Sequence, residues 1–338
     1  MRKYQLKAGN LSNMKIVETE LSPPKAHEVS IAVKTIGLNF ADVFAIWGLY
    51  SATPKGIFTP GLEYAGVVTA TGAQVKGISI GDKVMGVTRF GAYTTHLNID
   101  ARYIVPLPKD WSMEQGAAFL VQVLTAYYAM VELGNLKKDH TVLVHSAAGG
   151  VGLHALHIAK RYGAYTIGTV GSPAKVDFLK NQGYDKVIVR SKHFGEDLKA
   201  ALENRKLNLI MECIGGYIMK QGFQLLAPQG RLVIYGSARY AAPGDRPNYL
   251  KVMYQHLTRP KFDPQEMIHT NRAILGFNLI WLYEQVEIMH NIIANVNALQ
   301  LPPPYIGHRF SFEKIPEAIR LFQTGRTVGK VVVKVDNG

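Results

Sequence analysis

Residues 141–154 constrain the fold more than any other part of the chain. Five strand-forming residues, 141–145, run directly into a turn of small residues, and an apolar helix face follows. In this turn the spacing Ala147-x-Gly149-x-x-Gly152 is a variant of the dinucleotide-binding fingerprint, whose small residues allow a tight turn, close approach of a pyrophosphate and close helix packing. Small residues also form ordinary turns, but a position between strand and helix favours nucleotide binding. The residues predicted to contact the cofactor are Ala148, Gly149, Gly150, Val151 and Gly152.

The type of nucleotide is indicated by the residues that follow the fingerprint. Sites that prefer NAD carry an acidic residue roughly 20 positions on, bonded to the ribose 2′-hydroxyl, but this chain has no Asp or Glu between Gly150 and Val176. Instead, Ser172, Lys175 and Arg190 follow the next two predicted strands and can hold a 2′-phosphate by charge-assisted hydrogen bonds. The alternative is that they are solvated surface residues. We expect NADPH to be preferred over NADH.

Strands and helices alternate after residue 141 in the rhythm of a doubly wound parallel sheet. The six predicted strands are residues 141–145, 165–170, 186–189, 207–212, 231–235 and 273–277. Such sheets bind ligands at the carboxyl ends of their strands, which adds four residues to the predicted cofactor site: Tyr235, Gly236, Phe277 and Leu279. Residues 237–270 predict a loop with one helix near 248–257, and residues 1 to about 120 predict a β-rich, partly barrel-like unit.

Composition sets outer limits on the function. A length of 338 residues suits two domains, and the single cysteine, Cys213, excludes an internal disulfide and any Cys-rich zinc site. We find no signal peptide and no stretch near the roughly 18 apolar residues of a membrane span, and we expect a cytoplasmic protein. The net charge of +13 is compatible with binding to nucleic acid or an anionic surface, but no run of five Lys or Arg occurs, which favours a dispersed solubility charge.

Motifs spread along the chain resemble those of zinc-free medium-chain dehydrogenases/reductases of the quinone oxidoreductase type. They are residues 36–43 (IGLNFADV), 60–68 (PGLEYAGVV), 81–85 (GDKVM), 145–152 (HSAAGGVG) and 329–331 (GKV). Within that group, residues 37–42, 48–50 and 271–277 are similar to the vesicle amine transport protein homologues. The resemblance covers nearly the whole chain. It implies a Rossmann sheet inserted into a β-rich GroES-like catalytic domain, with the catalytic domain at 1–121 and 298–338 and the NADPH-binding domain at 122–297.

The resemblance also implies that catalytic zinc is absent. Zinc-dependent relatives place a Cys and a His where this chain has Asn39 and Leu62, and Val121 aligns with the third ligand. Zinc sites in proteins use thiolate, imidazole or carboxylate ligands, so we predict no metal site.

Without a metal to polarise the acceptor, hydride transfer needs an acceptor that is already electrophilic, such as a quinone or an α,β-unsaturated carbonyl. Donors aimed at its oxygen would stabilise the transition state. Asn39 and Tyr50 are the predicted donors; the alternatives are a turn cap for Asn39 and a packing aromatic for Tyr50. Thr125 corresponds to a family position near the nicotinamide.

Two functions stay open at this point. The first is an NADPH-dependent quinone or enone reductase, and the family resemblance implies a homodimer paired through residues 273–294. The second is a nucleotide-binding protein of the same fold that works by binding a membrane, a protein or RNA. The net charge of +13 and the segment 239–262, which is rich in proline, tyrosine and basic residues, support the second.

Overall fold

Three β-sheets organise the protein, whose computed structural model describes residues 1–336. The strands are β1 (Arg2–Lys7), β2 (Lys15–Glu18), β3 (Glu28–Gly37), β4 (Ile57–Phe58), β5 (Glu63–Thr71), β6 (Lys83–Val87), β7 (His96–Asp100), β8 (Ile104–Pro106), β9 (Thr141–Val144), β10 (Tyr165–Val170), β11 (Lys186–Val189), β12 (Leu207–Glu212), β13 (Leu226–Ile234), β14 (Ala273–Gly276), β15 (Ile306–Ser311) and β16 (Lys330–Lys334).

Eleven α-helices connect these strands within residues 1–336. They are α1 (Phe40–Trp47), α2 (Met113–Gly116), α3 (Leu120–Tyr127), α4 (Gly150–Arg161), α5 (Val176–Gln182), α6 (Phe194–Leu202), α7 (Gly216–Leu225), α8 (Tyr249–Leu257), α9 (Pro264–Thr270), α10 (Val286–Ala298) and α11 (Ile315–Gln323). A π-helical segment, Tyr128–Leu133, continues α3.

The doubly wound sheet is confirmed. Its six strands are all parallel, in the order β11-β10-β9-β12-β13-β14. All four residues of β9 are buried, as expected for a parallel strand covered by helices on both faces. Four predicted boundaries were wrong: His145 lies outside β9, β13 begins at Leu226 and ends at Ile234, and β14 ends at Gly276.

The remaining strands form the β-rich part of the protein. A seven-stranded sheet runs β15-β16-β3-β5-β6-β8 with β7 also paired to β3, and a three-stranded sheet runs β2-β1-β4. The C-terminal strand β16 pairs antiparallel with β3, so the chain returns to this sheet after completing the parallel one. This is the GroES-like arrangement that the resemblance implied, while the boundaries at 121 and 298 stay a prediction.

Two helical regions differ from the sequence-based expectation. The sequence pattern predicts a helix over residues 113–134, and the helical stretch Met113–Leu133 is present. By length and composition it could cross a membrane, contrary to the expectation that no such span exists, but 72% of its most apolar window is buried inside the protein. The segment 237–270 carries α9 in addition to the predicted α8. Asp263 caps α9 by accepting a hydrogen bond from Gln265 N, and Pro264 occupies its first turn. This cap and proline are ordinary helix-start signals.

Candidate active site

The turn after β9 has the geometry expected of a pyrophosphate-binding loop. Gly149 is the N-cap of α4. A Cβ on Gly152 would lie 2.5 Å from the Ala147 carbonyl oxygen, so the helix and the strand approach each other too closely for a side chain there. A Cβ on Gly149 would meet only the Ser146 carbonyl oxygen, at 3.3 Å. The space in front of Gly149 is therefore open, and the loop fits a dinucleotide.

The C-terminal return segment lies directly against this loop. Gly329 N donates a hydrogen bond to the Ala148 carbonyl oxygen at 2.7 Å. Gly329 has a φ of +61°, and a Cβ there would lie 2.5 Å from the Tyr305 ring. Only glycine suits this close approach. The next residue, Lys330, is thereby held between the loop and the β-rich sheet.

The three residues predicted to hold a 2′-phosphate lie near each other, at the ends of β10 and β11. Arg190 Nη1 donates to Thr169 Oγ1 at 2.9 Å, and its Nη2 lies 3.1 Å from where a Cβ on Gly171 would be. Lys175 Nζ donates to the carbonyl oxygens of Gly325 and Thr327, both at 2.6 Å. Burial, and then the charge of Arg190, lower the pKa of Lys175. Ser172 Oγ accepts a hydrogen bond from Ala174 N.

The other predicted cofactor residues surround the carboxyl ends of β13 and β14. The Phe277 ring lies 5.0 Å from the Tyr128 ring and 6.4 Å from the Tyr235 ring. A Cβ on Gly236 would lie 3.0 Å from Cys213 Cβ, and Leu279 packs against the core. Thr125 Oγ1 donates to the Val121 carbonyl oxygen at 2.7 Å, so its hydroxyl hydrogen is used within α3.

A buried polar cluster of Asn39, Glu63, Gln122 and Lys330 joins the β-rich sheet, α3 and β16. Lys330 Nζ bonds to Glu63 Oε1 and, at 3.0 Å, to Asn39 Oδ1. Gln122 Nε2 donates to Asn39 Oδ1 at 2.5 Å. A Cβ on Gly150 would lie 2.7 Å from Gln122 Oε1. The cluster therefore reaches from Asn39 to the nucleotide loop.

Asn39 has no free amide hydrogen in this cluster. Its Nδ2 donates to Glu63 Oε1 at 2.9 Å and to the Gly37 carbonyl oxygen at 3.3 Å. It is also the N-cap of α1, and its backbone N–H donates to Asp42 Oδ2 at 2.8 Å. The geometry therefore does not support the expectation that Asn39 donates to an acceptor, because an amide has only two N–H donors.

Burial sets the electrostatics around the cluster. It lowers the pKa of the Lys330 ammonium, an effect that the neighbouring Glu63 opposes. It raises the pKa of Asp42 to about 7, although Asn39 N and the Tyr93 hydroxyl both donate to this carboxyl. Near the positions compared above with zinc ligands, Val121 N donates to Glu63 Oε2 at 3.1 Å. Within residues 1–336 no group of three or more His, Cys, Asp or Glu could hold a metal ion.

Tyr50, which follows α1 in the β-rich part, and Asn278, which follows β14 in the parallel sheet, form a contact between the two parts of the protein. The Tyr50 hydroxyl donates to Asn278 Oδ1 at 2.7 Å. Tyr50 packs edge-on against Phe90, with ring centroids 6.4 Å apart. Burial raises the pKa of Tyr50 to about 12, so the hydroxyl stays protonated at neutral pH and acts as a donor.

Sequence reasoning missed Gln122, Lys330 and Asn278 as site residues. Gln122 had a usable signal, since it is the one amide in the apolar run 117–124, and a polar residue in a buried helix needs a partner. Lys330 precedes three consecutive valines in β16, so it begins a strand whose centre is apolar. Asn278 directly follows the predicted sixth strand, at the edge where ligands bind.

Two family models match the chain. Residues 25–109 match the alcohol dehydrogenase GroES-like domain, and residues 150–293 match the zinc-binding dehydrogenase family. The first covers most of the β-rich part, and the second covers most of the parallel sheet.

Similar proteins and structures cover nearly the whole chain. The synaptic vesicle membrane protein VAT-1 homologs of Rattus norvegicus and Homo sapiens are 31% and 30% identical over 96% of this chain, which corresponds to 81% and 84% of their lengths. The crystal structure of Escherichia coli quinone oxidoreductase complexed with NADPH is 25% identical with a TM-score of 0.83, and covers 99% of this chain and 100% of that one. The CurK enoyl reductase structure is 26% identical with a TM-score of 0.85, covering 99% of both chains.

Proposed function

Because the chain belongs to the medium-chain dehydrogenase/reductase family, we propose that it is a zinc-independent, NADPH-dependent reductase of quinones or α,β-unsaturated carbonyls. One observation carries the proposal: the glycine loop at the end of β9 leaves open space in front of Gly149, at the N-terminus of α4, where a pyrophosphate can approach the backbone. The protonated Tyr50 hydroxyl and the Asn278 amide supply polar groups for an acceptor. The NADPH named for the E. coli quinone oxidoreductase structure supports the cofactor, and the name of the enoyl reductase structure supports the enone.

The residues of this chain then have separate roles in the reaction. When bound, NADPH supplies the hydride. The N-terminus of α4 binds the pyrophosphate with its backbone N–H groups, and the Ser172, Lys175 and Arg190 group binds the 2′-phosphate. Tyr50 belongs to the proposed acceptor site. Asn39 becomes a positioning residue, because its amide holds Glu63 and Gln122 in place.

Zinc independence rests on the chemistry of the available side chains. Although one matching family model is described as zinc-binding, Asn39, Leu62 and Val121 occupy the three ligand positions by resemblance. An amide and two aliphatic groups are poor zinc ligands. The direct test is NADPH oxidation by a simple quinone and a simple enone, with and without a chelator. Turnover that survives the chelator supports the proposal. If metal analysis finds stoichiometric zinc in the protein and the chelator abolishes turnover, the proposal is overturned.

Lys175→Ala should weaken NADPH binding roughly 5- to 150-fold, the equivalent of about 1–3 kcal/mol for a hydrogen bond to a charged group, and leave NADH binding nearly unchanged. To bind phosphate, the ammonium leaves the carbonyl oxygens of Gly325 and Thr327. Fluorescence titration with both cofactors measures the effect. Lys180→Ala, an exposed lysine on α5, is the matched control. Equal losses for NADPH and NADH would assign Lys175 to holding the 325–327 segment instead.

A homodimer is the expected assembly in this proposal. The strand β14 is at the end of the parallel sheet and pairs only with β13 among the described residues, which leaves one strand edge for a partner. The mass in solution tests this directly.

A second candidate function, reversible association with an anionic membrane surface, is favoured by α8. Its apolar residues Tyr249, Leu250, Met253, Tyr254 and Leu257 lie on one face of the helix and are 56–76% exposed. The opposite face is polar and points inward: Gln255 Oε1 accepts a hydrogen bond from Arg239, and Lys251 Nζ donates to Ala241 O at 2.8 Å. An outward apolar face with basic neighbours is typical of interfacial helices. The relatives named as synaptic vesicle membrane proteins support the same function.

Leu250→Glu combined with Leu257→Glu should weaken binding to phosphatidylserine-containing vesicles by roughly tenfold or more, because each leucine side chain contributes about 1.5–3 kcal/mol when fully buried. Co-sedimentation measures it. Ile80→Glu is the matched control, since Ile80 is 68% exposed in the β-rich part. Binding that is lost in high salt but unchanged in the double variant would point to polar contacts, as with RNA, and contradict a membrane role for α8.

A further inference from the structure

Building on the proposed reductase function, we propose that Asn278 is the catalytic donor to the acceptor oxygen. Its Nδ2 binds that oxygen, while Tyr50 acts through Asn278 as a positioning residue. The class of ligand is a carbonyl oxygen that gains negative charge as hydride arrives, in a quinone or an enone. This reverses the simpler expectation that the Tyr50 hydroxyl itself touches the acceptor.

The hydrogen-bond direction carries the first step. A tyrosine hydroxyl has one hydrogen, and that of Tyr50 is donated to Asn278 Oδ1 at 2.7 Å. The Asn278 amide therefore has its oxygen occupied and its two N–H donors free. Within residues 1–336 its Nδ2 has no hydrogen-bond partner, and this nitrogen is not fully buried, so a ligand can reach it. Of the two groups, only the amide has a donor available without first breaking their bond.

The position of Asn278 carries the second step. It follows β14 by two residues, at the carboxyl edge where open α/β sheets bind ligands. Phe277 N donates to the Ile234 carbonyl oxygen at 3.1 Å, which ties this short segment to the end of β13. Asn278 also begins the 3-10 turn Leu279–Leu282. The Asn278 backbone is thus held by hydrogen bonds at the end of the parallel sheet, and a fixed backbone favours preorganised transition-state stabilisation.

Third, neighbouring aromatic rings hold the Tyr50 side chain in place. The Tyr50 ring packs edge-on against Phe90, and Phe90 in turn against Phe58 at 5.5 Å. Tyr50 therefore reaches Asn278 from the β-rich part of the protein on a ring packed against other aromatic rings, and its hydrogen bond orients the amide. A braced amide with its oxygen engaged presents N–H in one direction, which suits an oxygen that develops charge.

Four variants separate this proposal from its alternative. Asn278→Asp keeps the shape and an oxygen for the Tyr50 hydroxyl but removes both N–H donors, so kcat should fall on the order of 10²-fold, as when an oxyanion-hole donor is deleted. Tyr50→Phe should cost less, because Asn278 keeps its donors. The double variant Asn278→Ala with Tyr50→Phe should have nearly the same kcat as Asn278→Ala alone, since Tyr50 acts only through Asn278. Asn297→Ala, at an exposed position on α10, is the control.

A pH profile distinguishes a donor from a structural role. Lowering the pH should partly restore kcat in Asn278→Asp, because a protonated carboxyl regains one O–H donor. The NADPH Kd should stay within about twofold in every variant. If Tyr50→Phe loses more than Asn278→Asp, or Asn278→Asp keeps wild-type turnover, Asn278 is not the donor. If the wild-type protein binds NADPH but reduces no quinone or enone, the proposed function has failed instead.

Discussion

Replacing Gly149 by valine is expected to abolish NADPH binding and leave a folded protein. Gly149 has an extended backbone, with φ −86° and ψ 172°, which suits a β-branched residue. Its Cβ would meet only the Ser146 carbonyl oxygen at 3.3 Å. The new methyl groups would instead fill the open space in front of the loop, where the pyrophosphate must approach the backbone N–H groups of α4.

The size of this effect follows from what the ligand loses. The phosphates would be pushed out of hydrogen-bond range of several N–H groups at once, so we expect the NADPH Kd to rise at least roughly 100-fold, equivalent to about 2.8 kcal/mol. Fluorescence titration gives the Kd, and thermal unfolding without ligand shows whether the fold survives.

Gly152→Val is the matched comparison for Gly149→Val, because the same side chain is added three residues further on. Here the Cβ would lie 2.5–2.7 Å from backbone atoms of Ala147, so the protein itself must move. We expect a large fall in thermal stability for Gly152→Val and a small one for Gly149→Val. Undiminished NADPH affinity in Gly149→Val would show that the cofactor does not bind at this loop.

The parallel sheet was readable from the sequence because its signals are local. Strands β10, β11 and β12 begin and end where the sequence predicts them. Both β10 and β12 are buried over five of their six residues, and strands covered on both faces have mostly apolar sequences. The loop after β9 was readable for a related reason: the close packing at Gly152 requires a residue without a side chain, and that requirement is visible in the sequence.

The candidate site was less readable because its contacts come from distant segments. The role of Asn39 depends on Glu63, Gln122 and Lys330, which are separated from it by 24 to 291 positions. A single sequence cannot show that Glu63 and the Gly37 carbonyl oxygen accept both of its amide hydrogens, while Gln122 and Lys330 donate to its amide oxygen. In the same way, nothing local indicates that Asn278 meets Tyr50, 228 residues away.

The exposure of the apolar face of α8 could not be predicted, because the local sequence pattern favours the opposite orientation of the helix. An amphipathic pattern predicts a helix that turns its apolar face to the core, but here Gln255 and Lys251 make the inward contacts. The helix is present where the sequence predicts it. Its orientation is set by two hydrogen bonds, one from Arg239 to Gln255 and one from Lys251 to the Ala241 carbonyl oxygen. Such an inversion appears only once the packing is known.

Lys330→Met should destabilise the protein by about 3–5 kcal/mol, the usual cost of removing one partner from a buried ion pair. The side chains of Lys330 and Glu63 are only 4% and 1% exposed. Methionine fills nearly the same space, so the loss comes from leaving the Glu63 charge without its cation rather than from a cavity. Asn39 Oδ1 also loses one of its two donors. Urea unfolding with fluorescence detection measures the change.

Lys334→Met, on the same strand, shows whether the effect of Lys330→Met arises from burial. Lys334 bonds to Glu114 at 3.0 Å, but its side chain is 57% exposed, and exposed pairs contribute about 0–1 kcal/mol. Adding Glu63→Gln to Lys330→Met should recover part of the lost stability, because a neutral amide needs no buried cation and can still accept from Val121 N. A loss in Lys330→Met as small as that in Lys334→Met would mean that water reaches the Glu63 carboxylate. The cluster would then be hydrated, and it would not be the water-free connection between the nucleotide loop and the β-rich sheet that its burial indicates.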